Sequence, residues 1–273
     1  MSRNVNRLSA VLFDWAGTTI DHGSRAPAIV IRELFGRRGI EITTAQAREP
    51  MGMAKRAHLA AVAAMPEVAA AWTEQRGGPC SEADIDALYA EFLPMQKRIL
   101  HEHSDVLEGI PEVVAACRRR SLRIGSTTGY TRELIEVIVP IARSQGYEAD
   151  CVFGAEDAPQ GRPAPYLLFE AAKALGVYPL WTTVAVDDTP VGIAAGRNAG
   201  CWTVGITRTG NGVGLSATEF AALPAEEARR LCEVAASQLQ AAGAHFILES
   251  AADLLPVLDE IERRLQAGEL PVG

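Results

Sequence analysis

The amino-acid sequence predicts an α/β protein, a doubly wound, mostly parallel sheet of Rossmann-like type with an inserted helical cap domain. Three observations carry this. An apolar strand near the N-terminus stops at an acidic residue; a block from about residue 27 to 101 has helical spacing without a convincing strand; and strands and helices alternate after Gly109.

Each element follows from its residues. Leu8 to Phe13 is an apolar burst that ends at Asp14 and the loop Gly17-Thr18-Thr19, so Asp14 is delivered to the C-terminal edge of a buried strand. PAIVIRELFGRR, AKRAHLAAVAAM and ALYAEFLPMQKRIL are helical, the last preceded by the capping sequence Ser81-Glu82-Ala83-Asp84. Then come helix PEVVAACRRR, strand LRIGSTT, helix TRELIEVIVPIA, strand CVFG, helix PYLLFEAAKALG, strand TTVAVDD, helix VGIAAGRNAG and strand WTVGI. TRTGNGVGLS is a loop, and a long helix from Ala217, a short strand HFILES and a closing helix finish the chain. The expected division is an α/β core over 1–24 and 102–273 and a helical cap over 25–101.

Composition narrows the function. The formal charge of -8 and pI near 5.3 give no general attraction to nucleic acid or anionic membranes, so an anionic ligand needs a local cationic site. Five cysteines, an odd number without paired metal-ligand spacing, speak against a disulfide framework and for a reducing cytoplasm. No apolar run has the length of a signal sequence or a membrane span, so a soluble protein is expected.

In open α/β sheets ligands bind beyond the carboxyl ends of the strands. An isolated strand-terminal aspartate is often a turn or capping residue. Here three further signals follow Asp14 in order: Ser126-Thr127-Thr128-Gly129, Arg162 in GRPAP, and Asp187-Asp188. The expected site gathers Asp14, Thr128, Arg162 and Asp187-Asp188. A carboxylate nucleophile can approach a phosphoryl dianion only where cations and hydrogen-bond donors neutralise its oxygens. Lys55 and His58 share one face of an expected helix and are a further candidate pair, although most helical lysines are merely solvated.

These four segments resemble the signature motifs of the haloacid dehalogenase superfamily. FDWAGTTIDHGSRAP, REPMGMAKRAH, IGSTTGYTRE, QGRPAP, NAGCWTVGI and GAHFILES extend the likeness over nearly the whole chain, to the phosphonoacetaldehyde hydrolases. The resemblance implies cleavage of the carbon–phosphorus bond of phosphonoacetaldehyde to acetaldehyde and phosphate, within 2-aminoethylphosphonate degradation. Asp14 would be the nucleophile and Lys55 the amine that forms an imine. His58 would move protons between Lys55 and solvent. Magnesium (Mg2+) would be held by Asp14, the backbone carbonyl of Ala16 and Asp188, with Asp187 behind the metal or linked to it. Thr128 and Arg162 would bind the phosphoryl group, Gly129 would admit close backbone approach, and Met51 and Tyr130 would line the pocket. A homodimer through the cap is also implied.

Departures from the pattern carry chemistry. Superfamily phosphatases commonly have a second aspartate two residues after the nucleophile, to protonate a leaving alkoxide; this chain has Ala16. An imine would instead accept the electrons of the C–P bond and give an enamine, which needs no such acid. Lys55 must be neutral for part of the time, which burial under a cap would favour. Arg162 replaces a lysine, Gly192 stands where some relatives carry another aspartate, and Ser24 stands where a relative carries cysteine. The rival readings are a phosphate-ester phosphatase or mutase, a dehalogenase, and a noncatalytic anion sensor.

Overall fold

The computed structural model describes residues 6–271; residues 1–5 and 272–273 of the expected core lie outside the described residues. β1 (Ala10–Phe13) leads through a loop into five helices: α1 (Arg25–Gly36), α2 (Thr44–Arg48), α3 (Lys55–Ala63), α4 (Pro66–Arg76) and α5 (Glu82–Ile99). The alternating part follows: α6 (Ile110–Arg119), β2 (Arg123–Thr127), α7 (Arg132–Ser144), β3 (Cys151–Phe153), α8 (Tyr166–Leu175), β4 (Thr183–Asp187), α9 (Pro190–Ala199) and β5 (Trp202–Ile206). α10 (Ala217–Ala221), α11 (Ala225–Ala241), β6 (Phe246–Leu248) and α12 (Leu254–Gln266) close the chain.

The six strands among the described residues form one sheet in the order β3-β2-β1-β4-β5-β6; all pairs are parallel, where the alternating pattern predicts a mostly parallel sheet. Both faces are covered. Val11 and Phe13 point into a cluster with Val113, Leu134, Ile138 and Leu258, from α6, α7 and α12. The alternate residues Ala10 and Leu12 join Leu168, Ala171 and Leu175 of α8 on the other face. A strand buried on both sides needs apolar residues at every position, which is why AVLF was readable as a strand without alternation.

The helices α1 to α5 pack around a hydrophobic cluster of their own, with Leu34, Phe35, Leu59, Trp72, Leu88 and Phe92 all buried. Phe35 and Trp72 meet edge to face at a centroid distance of 6.0 Å. Ser81 caps α5 as its sequence predicts, accepting from the Asp84 N–H while the Asp84 carboxylate accepts from the Ser81 N–H. Two links join this helical unit to the sheet. They run side by side: Asp21 N–H donates to Asp105 O, and Leu107 N–H to Thr19 O.

The long helix expected from Ala217 is two helices. Proline disfavours the helical conformation of the residue before it, so the chain breaks at Leu223-Pro224 and α11 starts afresh at Ala225. The HFILES strand is confined to its apolar run, the three residues Phe246–Leu248 at the sheet edge. No helix among the described residues is long and apolar enough to cross a membrane.

The pairing register positions the site. Phe13 lies opposite Ser126 of β2 and Val186 of β4. One residue further along each strand come Asp14, Thr127 and Asp187, so three chemistry-bearing residues reach one sheet edge from three neighbouring strands.

Candidate active site

Asp14, Asp187 and Asp188 are all buried, and a ligand oxygen of each can be chosen so that all three lie within 4.8 Å of one another. Bare carboxylates at this separation repel. Arg162, also buried, opposes that repulsion: its Nη1 stands 2.7 Å from Asp14 Oδ1 and 3.2 Å from Asp187 Oδ2. Its Nη2 donates to the backbone and side-chain oxygens of Thr127, at 2.9 and 3.0 Å. The guanidinium fork is thus bonded to protein oxygens here, so a phosphoryl group, the ligand expected for Arg162, would have to share or displace those bonds.

One arginine does not balance three carboxylates. Burial pushes the Asp14 pKa up to about 7, and Asp187 adds to the rise that Arg162 opposes. Burial and the charges of Asp14 and Asp187 raise Asp188 well above the carboxylate range. Burial disfavours the Arg162 cation, but Asp187 and Asp14 outweigh it and hold its pKa above the usual guanidinium value.

The donor set fits a divalent cation with oxygen preference. Asp188 is held by Thr18 Oγ1 at 3.2 Å and by the Asn211 N–H at 2.7 Å. The Ala16 carbonyl accepts no hydrogen bond among the described residues, while its neighbours are paired, Gly17 N–H to Ile20 O and Ile20 N–H to Trp15 O. Asp187 differs. Its Oδ1 accepts from the N–H and hydroxyl of Thr189 at 2.9 and 2.7 Å, and its Oδ2 faces Arg162. Asp188 also has both oxygens bonded, but only to the neutral donors Thr18 and Asn211, whereas Asp187 carries three contacts, one of them from the Arg162 cation; this favours Asp14, Ala16 and Asp188 as the direct holders, with Asp187 bracing Arg162.

Three glycines make room for this cluster. A Cβ on Gly192 would stand 2.0 Å from the Asp187 carboxyl carbon, one on Gly17 2.3 Å from Asp188 Oδ2, and one on Gly210 2.6 Å from Asp188 Cβ. Asp187 and Gly192 are therefore a matched pair: the carboxylate from the strand end fills the space that a side chain at 192 would need.

Asp14, Ala16, Ser24, Met51, Lys55, Thr128, Tyr130 and Arg162 line a chamber of about 20 Å³. That is room for about one water. Lys55 opens α3 and is buried, with its Nζ 5.5 Å from the centre of the Tyr130 ring. Burial lowers its pKa to about 8, against the pull of Asp14 and with the help of Arg162. The positive end of the α3 dipole also opposes an ammonium in the first turn. Met51 lies in the turn between α2 and α3 rather than on a helix, and is buried.

His58 is fully buried, where helical spacing alone allowed an ordinary surface histidine. Its Nε2 lies 2.9 Å from the Ala47 carbonyl, which can only accept, so the proton sits on Nε2 and Nδ1 is left as an acceptor without a partner among the described residues. Burial, with Lys55 adding, lowers its pKa to about 3. A proton passed to Nδ1 has no direct way to solvent in this state.

Thr128 uses its backbone N–H on Phe153 O, and its hydroxyl accepts from the Tyr130 N–H, which leaves the O–H free to donate into the chamber. The close approach at Gly129 is made by the helical unit: a Cβ there would stand 2.9 Å from Met53 O. Gly52, at φ +91°, touches the core in the same way, since a Cβ there would lie 2.6 Å from Thr189 Oγ1. Ser24 sits at φ 49° on the chamber wall. Sequence reading did not single out Thr18, Thr189 or Asn211, whose bonds orient the acidic pair; polar residues in a loop beyond a strand end were the available signal.

The Asp187–Gly192 packing makes a prediction. Gly192→Ala should displace Asp187, lower stability by about 1–3 kcal/mol through overpacking and cut turnover by about a hundredfold or more. Asp187→Gly combined with Gly192→Asp should recover more activity than either single change, because one carboxylate again fills the pocket. Thermal melts and initial rates read both effects; a Gly192→Ala protein with unchanged melting point and rate would refute the packing claim.

Comparison with known proteins places this geometry. The haloacid dehalogenase-like hydrolase family matches residues 8–200. A phosphonoacetaldehyde hydrolase from Paraburkholderia xenovorans (strain LB400) is 45% identical over 267 residues, 98% of this chain and 100% of the relative. Another, from Bacillus cereus (strain B4264), is 40% identical over 258 residues, 94% of this chain and 98% of the relative. The crystal structure of a phosphonoacetaldehyde hydrolase-like protein from Oleispira antarctica superposes with a TM-score of 0.96 at 38% identity, covering 99% of both chains. With its acidic cluster at the end of a parallel sheet and a buried lysine facing it, the chain belongs to the phosphonoacetaldehyde hydrolases of the haloacid dehalogenase superfamily.

Proposed function

We propose that this enzyme hydrolyses phosphonoacetaldehyde to acetaldehyde and phosphate through an imine on Lys55 and an aspartyl-phosphate on Asp14. The observation that carries the reading is the pairing of a buried, partly neutral amine on the helical unit with a buried carboxylate on the core, with alanine at the acid position 16.

The residues divide the work. The Lys55 amine adds to the aldehyde and water leaves, giving a protonated imine. Asp14 attacks phosphorus, the C–P bond breaks, and its electron pair flows into the imine to give an enamine on Lys55. The electron sink is built into the covalent adduct, so no proton donor is required at residue 16. Protonation and hydrolysis of the enamine release acetaldehyde and restore the amine, while water hydrolyses the aspartyl-phosphate. Tyr130 under Lys55 keeps the amine in an apolar setting. His58, three residues along the same helix, is held neutral by burial, with its pKa lowered to about 3, so it would relay protons between Lys55 and solvent only when the cap opens. Thr128 would donate to the phosphoryl group and Arg162 would supply permanent positive charge. Magnesium, held by Asp14, the Ala16 carbonyl and Asp188, would neutralise phosphoryl charge as the nucleophile approaches.

The chamber of about 20 Å³ is too small for the substrate, so the helical unit acts in this reading as a cap over 25–101 that must open and reclose. Homodimerisation through the cap and a place in 2-aminoethylphosphonate breakdown belong to the same proposal. A light-scattering mass of one chain would remove the dimer from it.

With magnesium, wild-type protein should release acetaldehyde and phosphate in equal amounts. Lys55→Arg should fold normally and release neither, and borohydride should trap wild-type protein on the Lys55 peptide alone. Near-normal turnover by Lys55→Arg would sink the imine route, and no release by folded wild type would reject the substrate.

Because the amine must be neutral to attack, kcat/KM should rise with pH through an ionisation near 8, where burial places Lys55. The neutral fraction falls about tenfold for each pH unit below that value. A profile flat from pH 6 to about 9 would contradict this assignment.

Exhaustive chelation should abolish turnover and magnesium should restore it. Full activity after metal removal would refute the cation site.

A further inference from the structure

The helical unit also meets the core outside the chamber, at Arg48, the last residue of α2. Its Nη1 donates to Gly23 O at 2.7 Å and to Asn211 Oδ1 at 3.0 Å, and its Nη2 to Gly214 O at 2.8 Å. Asn211 returns a bond from its Nδ2 to the Arg48 carbonyl at 3.3 Å. Gly214, at φ +71°, is bare where the guanidinium rests, since a Cβ there would stand 2.7 Å from Arg48 Cζ. The backbone N–H of the same Asn211 donates to Asp188 Oδ2 at 2.7 Å. One residue thus touches the helical unit through its side chain and the metal-binding carboxylate through its main chain.

The acceptors on Arg48 are all neutral carbonyl oxygens, and among the described residues it enters no salt bridge. Such a contact is directional and specific, yet it lacks the full Coulomb attraction of a buried ion pair, so water can replace it when the domains part. That suits a contact between two units that part and rejoin.

We propose that Arg48 and Asn211 form a closure latch: positioning residues that dock α2 on the 207–216 loop and, through the Asn211 peptide, set the orientation of Asp188 when the chamber is shut. The latch rests on the reading that the chamber opens to admit substrate. It predicts that cap docking and metal affinity are coupled, which neither side chain would produce as a mere surface contact.

The test uses full-length wild type, Arg48→Lys, Arg48→Ala, Asn211→Ala and the double alanine variant, with magnesium as the probe. Hydrogen exchange at 44–54 and 207–216 should quicken about tenfold or more in both alanine variants while β1, β2 and β4 stay protected. Magnesium affinity by calorimetry should weaken severalfold in each. Arg48→Lys, which keeps the charge but not the fork, should resemble Arg48→Ala, and the double variant should be no worse than Arg48→Ala, because the two residues act as a unit. Unchanged exchange or unchanged magnesium affinity in Asn211→Ala would overturn the latch; so would acceleration spread equally through the sheet, or effects that multiply in the double variant. None of these readouts needs turnover, so a failure of C–P cleavage would reject the proposed function and leave the latch to be judged separately.

Discussion

The architecture of the sheet edge is organised around three buried carboxylates that would otherwise drive one another apart. With their oxygens within 4.8 Å, each unscreened pair costs on the order of 3 kcal/mol at an effective dielectric of about 20. Several features answer that cost. Arg162 bridges two of the acids, Thr18, Thr189 and the Asn211 N–H bond their oxygens, and glycines at 17, 192 and 210 leave the space. A net negative charge still remains. Burial first, and the neighbouring carboxylates after it, raise the pKa of Asp14 and Asp188, and a divalent cation is the natural complement.

The helical unit brings a second charge of opposite sign to the same place. Lys55 enters on α3, over the Tyr130 ring, and faces the acids from the far side of a chamber that holds about one water. The core's unbalanced acids attract the lysine, so docking of the two units is favoured by the same excess charge that calls for a metal. The contacts that let them approach are made at two glycines, Gly52 against the Thr189 and Val191 side chains and Gly129 against the Met53 carbonyl. A site assembled from two units can bury its amine during the reaction and still release its product, which a chamber carved into one rigid core could not do.

Much of this was legible in the sequence because strand ends are. Asp14, Thr128 and Asp187-Asp188 follow apolar runs, and parallel topology sends every such end to one edge. Lys55 and His58 were legible as neighbours on one helix face, but periodicity says only which face is shared. That Ala47 covers His58, so that it is neutral and sealed from solvent, comes from tertiary packing. Arg162 was readable as a cation, whereas its bonds to Asp14, Asp187 and Thr127 depend on the register of three strands distant in sequence. Arg48 and Asn211 left only a faint signal, a polar residue in a glycine-rich loop beyond a strand end, because which cation reaches that loop is decided by how α2 packs on it. The break before α11 could have been read from Pro224, had its effect on Leu223 been weighed against the helical spacing on either side.

The two cations of the site show how environment assigns roles to groups of equal formal charge. Both are buried near the same acids. For Arg162 the nearby carboxylates outweigh burial, and its charge is locked in, as suits a group that must stay positive while a phosphoryl group arrives and departs. For Lys55 burial prevails over the more distant acids, and its pKa falls to about 8, where amine and ammonium both exist near neutrality. Exchanging the two residue types would defeat both tasks, because a guanidinium cannot become an amine nucleophile and a lysine ammonium lacks the planar fork that braces Asp14, Asp187 and Thr127 at once. In the proposed mechanism the alanine at 16 would complete the division: with an amine able to carry the electron sink, the core would need to supply only a nucleophile, a cation site and a fixed positive charge.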